Sequence, residues 1–258
     1  MRRLVAILAL TVLLGIAAGT APHARTVLAA VPISRMDLSW WHARFEAKQA
    51  ELRERQPALI FLGDSITQNW ERHGPPPWLD FAPVWQRFYG DRHAVNLGFV
   101  GDTTANLLWR IDHGEVAGIA PRVAVVLIGA NNLGRVHWSA DDTVQGIDTI
   151  LRELKHRLPS TKILLLGVLP SDRSSWATET TGIINRMLGE KYADGHNAAF
   201  LDVSRVFIRD GKLDRDLFYD PKENPPGAPL HPTAQGQALM AEAMEPTLAS
   251  LLGDWVHR

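Results

Sequence analysis

The sequence predicts a three-layer α/β/α sandwich built on a five-stranded parallel sheet. Three observations carry that expectation. From about residue 36 onward, short apolar runs alternate with amphipathic stretches, the signature of consecutive strand-helix units. The apolar runs are hydrophobic on both faces, as strands covered by helices on both sides must be. No internal repeat or low-complexity tract interrupts the 258 residues, 46% of them hydrophobic and 21% charged, so a single domain accounts for the chain.

The chain opens with Met1, Arg2 and Arg3, an apolar run of 15 residues from Leu4 to Ala18, and small residues from Gly19 to Ala30. This is the pattern of a secretory signal peptide. Residues 1–29 are therefore expected to be cleaved, with Val27 and Ala29 at positions −3 and −1, leaving 30–258 as one exported domain, periplasmic or secreted. Extending the run to Ala21 gives about 18 residues, the lower limit for a bilayer span, so an uncleaved membrane anchor stays open.

The apolar runs read as strands are Ala58 to Gly63, Ala94 to Gly98, Arg122 to Gly129, Lys162 to Leu169 and Ala198 to Val203. A leading helix is expected over Leu38 to Arg55, another from Thr104 through Trp109, and a last one over Thr233 to Leu252. Ser139 with Asp142 forms a capping box, and Val144, Ile147, Leu151, Leu154 and Leu158 hold helical spacing until Pro159 ends it. Residues 71–83 and 220–232 are proline-rich and read as irregular loops beside strand ends, where function concentrates. Trp40, Trp41, Trp85 and Trp109 lie in expected helices and are assigned to the core; Trp70 and Trp78 are assigned to a substrate cleft.

Charge and composition remove several function classes. The formal net charge is −1, and −4 once residues 1–29 are gone, which offers no cationic footprint for nucleic acid. Zero cysteines exclude a thiol nucleophile, a disulfide, a lipoprotein anchor and cysteine-liganded metal. No His-Glu-x-x-His, Walker loop or carboxylate cluster with metal spacing occurs, so neither a metal nor a cofactor is expected. No obligate protein partner is evident.

In an open parallel sheet, ligands bind at the carboxyl ends of the strands. The first strand ends in Gly63-Asp64-Ser65-Ile66-Thr67. A serine on such a turn has its own N–H at a helix start, where a developing oxyanion is favoured, although Ser and Asp are also ordinary helix caps. The second strand ends in Asn96-Leu97-Gly98-Phe99-Val100-Gly101-Asp102. Asn96 stands where a dinucleotide fingerprint needs its first glycine, and the next strand ends without the acid that a ribose requires. A bare backbone N–H offered to an oxyanion is the other use of such a glycine, and a tight turn is its structural use. The third strand delivers Asn131 and Asn132, whose amides can donate at any pH but also form turns. His231, in the loop before the last helix, can fold back over the edge that carries Ser65 and serve as a general base.

The order Ser65, Gly101, Asn131, His231 resembles the SGNH hydrolases, the superfamily of the GDSL esterases and lipases, over nearly all of residues 38–252. The likeness is greatest to the group of platelet-activating-factor acetylhydrolase catalytic subunits, through Asn96 to Thr104, Leu108-Trp109-Arg110 and Gly129 to Asn132. The resemblance implies a flavodoxin-like fold, Ser65 as nucleophile, His231 as base, and an oxyanion hole from Ser65, Gly101 and Asn131. It also implies a small-molecule, lipid or glycan ester as substrate, with a short acyl group. One position departs from the pattern. The family's last block carries an aspartate three residues before the base, and Ala228 stands there. Asp220, a backbone carbonyl completing a Ser-His dyad, and decayed activity are the open alternatives. An exported O-acyltransferase acting on a cell-envelope glycan and a non-catalytic glycan-binding module remain the rival functions.

Overall fold

The computed structural model describes residues 25–257. The apolar N-terminal run lies outside them. Helix α1 spans Ser39–Glu54, and a five-stranded sheet follows from β1 (Leu59–Gly63), β2 (Ala94–Gly98), β3 (Val123–Leu127), β4 (Lys162–Leu166) and β5 (Ala199–Leu201). The remaining helices are α2 (Ser65–Gln68), α3 (Ala82–Tyr89), α4 (Thr104–Asp112), α5 (Ala130–Gly134), α6 (Ala140–Arg157), α7 (Ser175–Lys191) and α8 (Ala234–Leu252). All pairings in this sheet are parallel and the strand order is β2-β1-β3-β4-β5, the flavodoxin-like arrangement. Except for β2, each strand is one to three residues shorter than its apolar run at one or both ends, because the ladder stops where the chain turns into the next connection.

Alternate residues of the strands feed two cores. Ile60, Leu62, Val95, Leu97, Ala124, Val126, Ile163 and Leu165 face α4, α6 and α7. Leu59, Phe61, Ala94, Val123, Val125, Leu127, Leu164 and Leu166 face α3 and α8. Every residue of β1, β2 and β3 is buried, which is why these strands show no polar alternation. Truncating a central residue such as Leu62 to alanine falls in the class that costs about 2–5 kcal/mol.

Helix α6 ends one residue before Leu158, and Ser139 accepts from Asp142 N–H at 3.1 Å, one half of the expected capping box. Helix α7 carries no apolar stripe in the sequence. Its buried face includes Thr180, Thr181 and Asn185 beside Ile184 and Leu188, so periodicity hides it. A short hairpin, β6 (Ile208–Arg209) with β7 (Lys212–Leu213), was likewise not legible.

The chain before α1 is part of the packed fold. A 3₁₀ turn at Leu28–Ala30 lies on α4 and α6, Ala29 is buried, and Thr104 Oγ1 donates to the Ala29 carbonyl at 2.8 Å. The expected cut after Ala29 falls inside this turn.

Two tryptophan assignments are corrected. Trp40 is 44% exposed, with the Arg35 guanidinium 5.2 Å from its ring, because its neighbour Trp41 takes the inward face of α1 against Phe45, Phe99 and Trp109. Trp70 is buried among Trp85 and Tyr89 rather than lining a cleft.

Candidate active site

The carboxyl ends of β1, β2 and β3 are level: Gly63 pairs with both Gly98 and Leu127. The order of strands reverses here, since β1 is flanked by β2 on one side and β3 on the other, and such a reversal is where open α/β sheets bind their ligands. After β1, Asp64 caps α2, its Oδ1 accepting from Ile66 N–H at 3.0 Å, and Ser65 opens the helix. The first N–H groups of a helix have no intrahelical acceptor, so Ser65 N–H is a free donor by geometry.

Ser65 Oγ lies 2.9 Å from His231 Nε2. His231 Nδ1 lies 2.6 Å from Asp220 Oδ1, while Asp220 Oδ2 accepts from His231 N–H at 2.6 Å and Leu230 N–H at 2.9 Å. Burial alone would raise the Asp220 carboxyl, but the bond and charge of His231 and the two backbone donors outweigh it and hold it below its ordinary 3.8. The carboxylate beside the imidazole thus comes from Asp220, eleven positions before His231, and Ala228 is exposed on the intervening loop. Backbone bonds from Tyr219 N–H to His231 O (3.0 Å), Thr233 N–H to Leu217 O (2.7 Å) and Gly227 N–H to Asp220 O (2.8 Å) close that loop and fix the pair. Tyr219 also stacks on the His231 ring at 5.2 Å and 10°, accepts from Asn69 Nδ2 at 3.1 Å, and carries Trp78 stacked at 6.1 Å.

After β2, Phe99 N–H donates to Gly63 O at 3.0 Å and Gly101 adopts φ +74°, a conformation that favours glycine. The turn is held from below by a buried ion cluster. Asp102 accepts from Trp41 Nε1 at 2.8 Å, Arg35 Nη1 at 3.0 Å and Arg110 Nε at 2.8 Å. Arg110 also pairs with Glu115 and donates to Gly63 O at 3.2 Å, tying the β1 and β2 turns together. Removing one of its fully buried members, Asp102, Arg110 or Glu115, costs about 3–5 kcal/mol, because a charge is left without compensation.

After β3, Gly129 at φ +128° turns the chain into α5, whose second residue is Asn131. Its Nδ2 donates to Asp102 O at 3.0 Å and to Asp64 Oδ2 at 3.3 Å. The neighbouring amide anchors the start of α4 instead, since Asn132 accepts from Thr104 N–H at 2.9 Å and donates to Thr104 Oγ1 at 2.8 Å.

The sequence-based candidates Ser65, Gly101, Asn131 and His231 therefore meet at one edge, together with Asp220. Tyr219 and the Asp64–Asn131 contact were missed. Tyr219 gave no signal beyond its position next to Asp220. Among the described residues, no group of three or more His, Asp or Glu could hold a metal ion, and no helix is long and apolar enough to cross a membrane.

Burial pushes the Asp64 carboxyl up from 3.8 to about 6; the Ile66 N–H and a charged His231 oppose the rise, and Asp102 adds to it. A raised carboxyl means that the folded state holds its proton more tightly than the unfolded chain does. Its stabilisation is full below the unfolded value near 4 and is lost as pH rises through about 6. Asp64→Asn keeps an acceptor for Ile66 N–H without the charge. Its stability relative to wild type should therefore improve between about pH 4 and pH 8 by up to ~3 kcal/mol. Thermal melts at both pH values check this; a wild-type-to-variant gap independent of pH contradicts it.

A profile of the GDSL-like lipase/acylhydrolase family matches residues 61–239. Platelet-activating factor acetylhydrolase IB subunit alpha2 of Gallus gallus is 28% identical over 202 residues, covering 76% of this chain and 83% of its own. The alpha1 subunit of Homo sapiens is 29% identical over 181 residues, covering 69% and 72%. The fold is shared with a GDSL-like lipase of Bacteroides thetaiotaomicron (TM-score 0.59, 19% identity, 81% of this chain and 97% of that one). It is also shared with a carbohydrate acetylesterase family member from Sinorhizobium meliloti (TM-score 0.57, 18% identity, 76% and 99%). With the family profile spanning every residue gathered at this edge, the chain belongs to the GDSL-like lipase/acylhydrolase family of carboxylic ester hydrolases.

Proposed function

We propose that this chain is a serine esterase that cleaves short-acyl esters, acetyl esters first among them, through an acyl-Ser65 intermediate. The observation that carries the reading is the relay from Ser65 Oγ to His231 Nε2 at 2.9 Å and from His231 Nδ1 to Asp220 at 2.6 Å. His231 takes the Ser65 proton as Oγ attacks the ester carbonyl. The N–H groups of Ser65 and Gly101 and the Asn131 amide stabilise the tetrahedral oxyanion; Asn131 does so by giving up its long 3.3 Å bond to Asp64. His231 returns the proton to the leaving alcohol, and a water deprotonated by the same imidazole then releases the acyl group. The acetyl preference is supported by relatives named as acetylhydrolases.

The test is the fate of the acyl group. With p-nitrophenyl acetate, purified protein should release p-nitrophenol and acetate in equal amounts, and added saccharides should leave the acetate yield unchanged. Acetylated saccharide in place of acetate would make the protein a transferase; no release of p-nitrophenol would remove the reading.

A further inference from the structure

We infer that Arg135 and Arg173 select esters whose alcohol carries an anionic group, a carboxylate or a phosphate. This deepens the esterase reading and rests on it.

Arg173 is half-buried at the edge that carries the serine and the imidazole. Its Nη2 donates to the carbonyl of Ala130, the residue before Asn131, at 2.8 Å, and its Nε reaches Ser171 Oγ at 3.4 Å. Among the described residues, no carboxylate makes an ion pair with it. The contrast with the other buried or half-buried arginines among the described residues is complete. Arg35 pairs with Asp102, Arg44 with Glu71, Arg92 with Glu245 and Asp254, and Arg110 with Asp102 and Glu115. A guanidinium taken partly out of water normally requires such a partner. Asp64 and Asp220 are near enough to act on Arg173 electrostatically, but both are committed to other donors. Burial prevails over them and lowers Arg173 from its ordinary value, as expected for a cation short of compensation.

The second guanidinium sits on the other donor loop. Arg135 follows α5, and its Nη1 lies 2.5 Å from the position that a Cβ on Gly101 would occupy. Arg135 is exposed, and among the described residues no carboxylate makes an ion pair with it, so its place beside Gly101 rather than its burial is what matters. Two guanidinium groups without an ion-pair partner among the described residues therefore adjoin Asn131 and Gly101, two of the three donors assigned to the oxyanion. An acetyl group has no atom to spare for a charge, so an anion that reaches them belongs to the alcohol side of the ester. Bidentate recognition of a carboxylate or phosphate is the chemistry that guanidinium groups perform best.

The experiment compares kcat/KM for 4-acetoxybenzoate and its neutral counterpart 4-acetoxybenzamide, with 4-acetoxyphenyl phosphate as the phosphate arm. Wild type is expected to prefer an anionic ester by roughly tenfold to a hundredfold, and high salt should shrink the preference. The larger preference of the two anionic arms identifies the group. In Arg135→Gln/Arg173→Gln the ratio should fall close to unity, whereas Arg135→Lys/Arg173→Lys should keep part of it. The ratio cancels damage common to both esters, and the salt dependence of wild type stands even if a variant folds poorly. Equal rates on charged and neutral esters in wild type overturn the inference, as does a preference that survives the Gln pair. Loss of turnover on every ester would instead remove the esterase reading on which it rests.

Discussion

Ser65→Ala is expected to lower kcat for ester hydrolysis by on the order of 10⁴–10⁶-fold while leaving the fold intact. The size follows from chemistry: without Oγ no acyl-enzyme can form, and what remains is the donors and the imidazole acting on bound ester and water. The fold should survive because Ser65 contributes little beyond its hydroxyl. The turn is held by the Asp64 cap at 3.0 Å, by the Phe99 bond to Gly63 O and by Arg110 beneath it. The serine's own side-chain bond is to His231, which is half-buried and open to water. Activity of the purified variant on p-nitrophenyl acetate within tenfold of wild type, with an unchanged melting temperature, would place the chemistry elsewhere.

Asp220→Asn is the second large effect, an expected loss of about 10³–10⁴-fold in kcat. The carboxylate fixes the proton of His231 on Nδ1, leaving Nε2 to accept from Ser65. An amide at position 220 can still accept from the N–H groups of Leu230 and His231 with its oxygen. Its NH2 then faces Nδ1 and favours the tautomer with the proton on Nε2, which cannot take the Ser65 proton. The pH dependence has a definite sign. The folded carboxyl is held below 3.8, so its stabilisation is present above the unfolded value and is lost as pH falls through the folded one. Wild type should therefore lose stability relative to Asp220→Asn only below about pH 4. Steady-state kinetics and acid melts check both parts. A near-wild-type rate in the variant would support a serine-histidine dyad assisted by a backbone carbonyl.

What was legible in the sequence follows from which residues carry periodicity or turn chemistry. The five strands were readable because their runs are mostly apolar, with both faces of the central strands buried. Helix α6 was readable because its cap, its apolar stripe and Pro159 agree. Helix α7 was not, since threonines and an asparagine fill much of its inward face. The four candidate residues that the fold brings together could be singled out because each stands at a strand end or just before a helix, positions fixed by local chain grammar. The acid could be narrowed to Asp220 or a carbonyl but not chosen, because the pairing depends on a loop closed by the long-range bonds of residues 217–220 to 227–233. Trp70 was misplaced for a related reason: proximity to Ser65 along the chain says nothing about which way a short helix turns its side chains. Arg173 gave no local signal, since its lack of a carboxylate partner among the described residues is visible only once the carboxylates have been placed.

Acylation of Ser65 is the step on which the esterase mechanism stands. Rapid mixing with p-nitrophenyl acetate, acid quench within the first turnover and peptide mass analysis measure it directly. One added acetyl group is expected, borne by Ser65 and absent from the Ser65→Ala protein. Acetyl found on another residue, or a burst of p-nitrophenol with Ser65 unmodified, would contradict it.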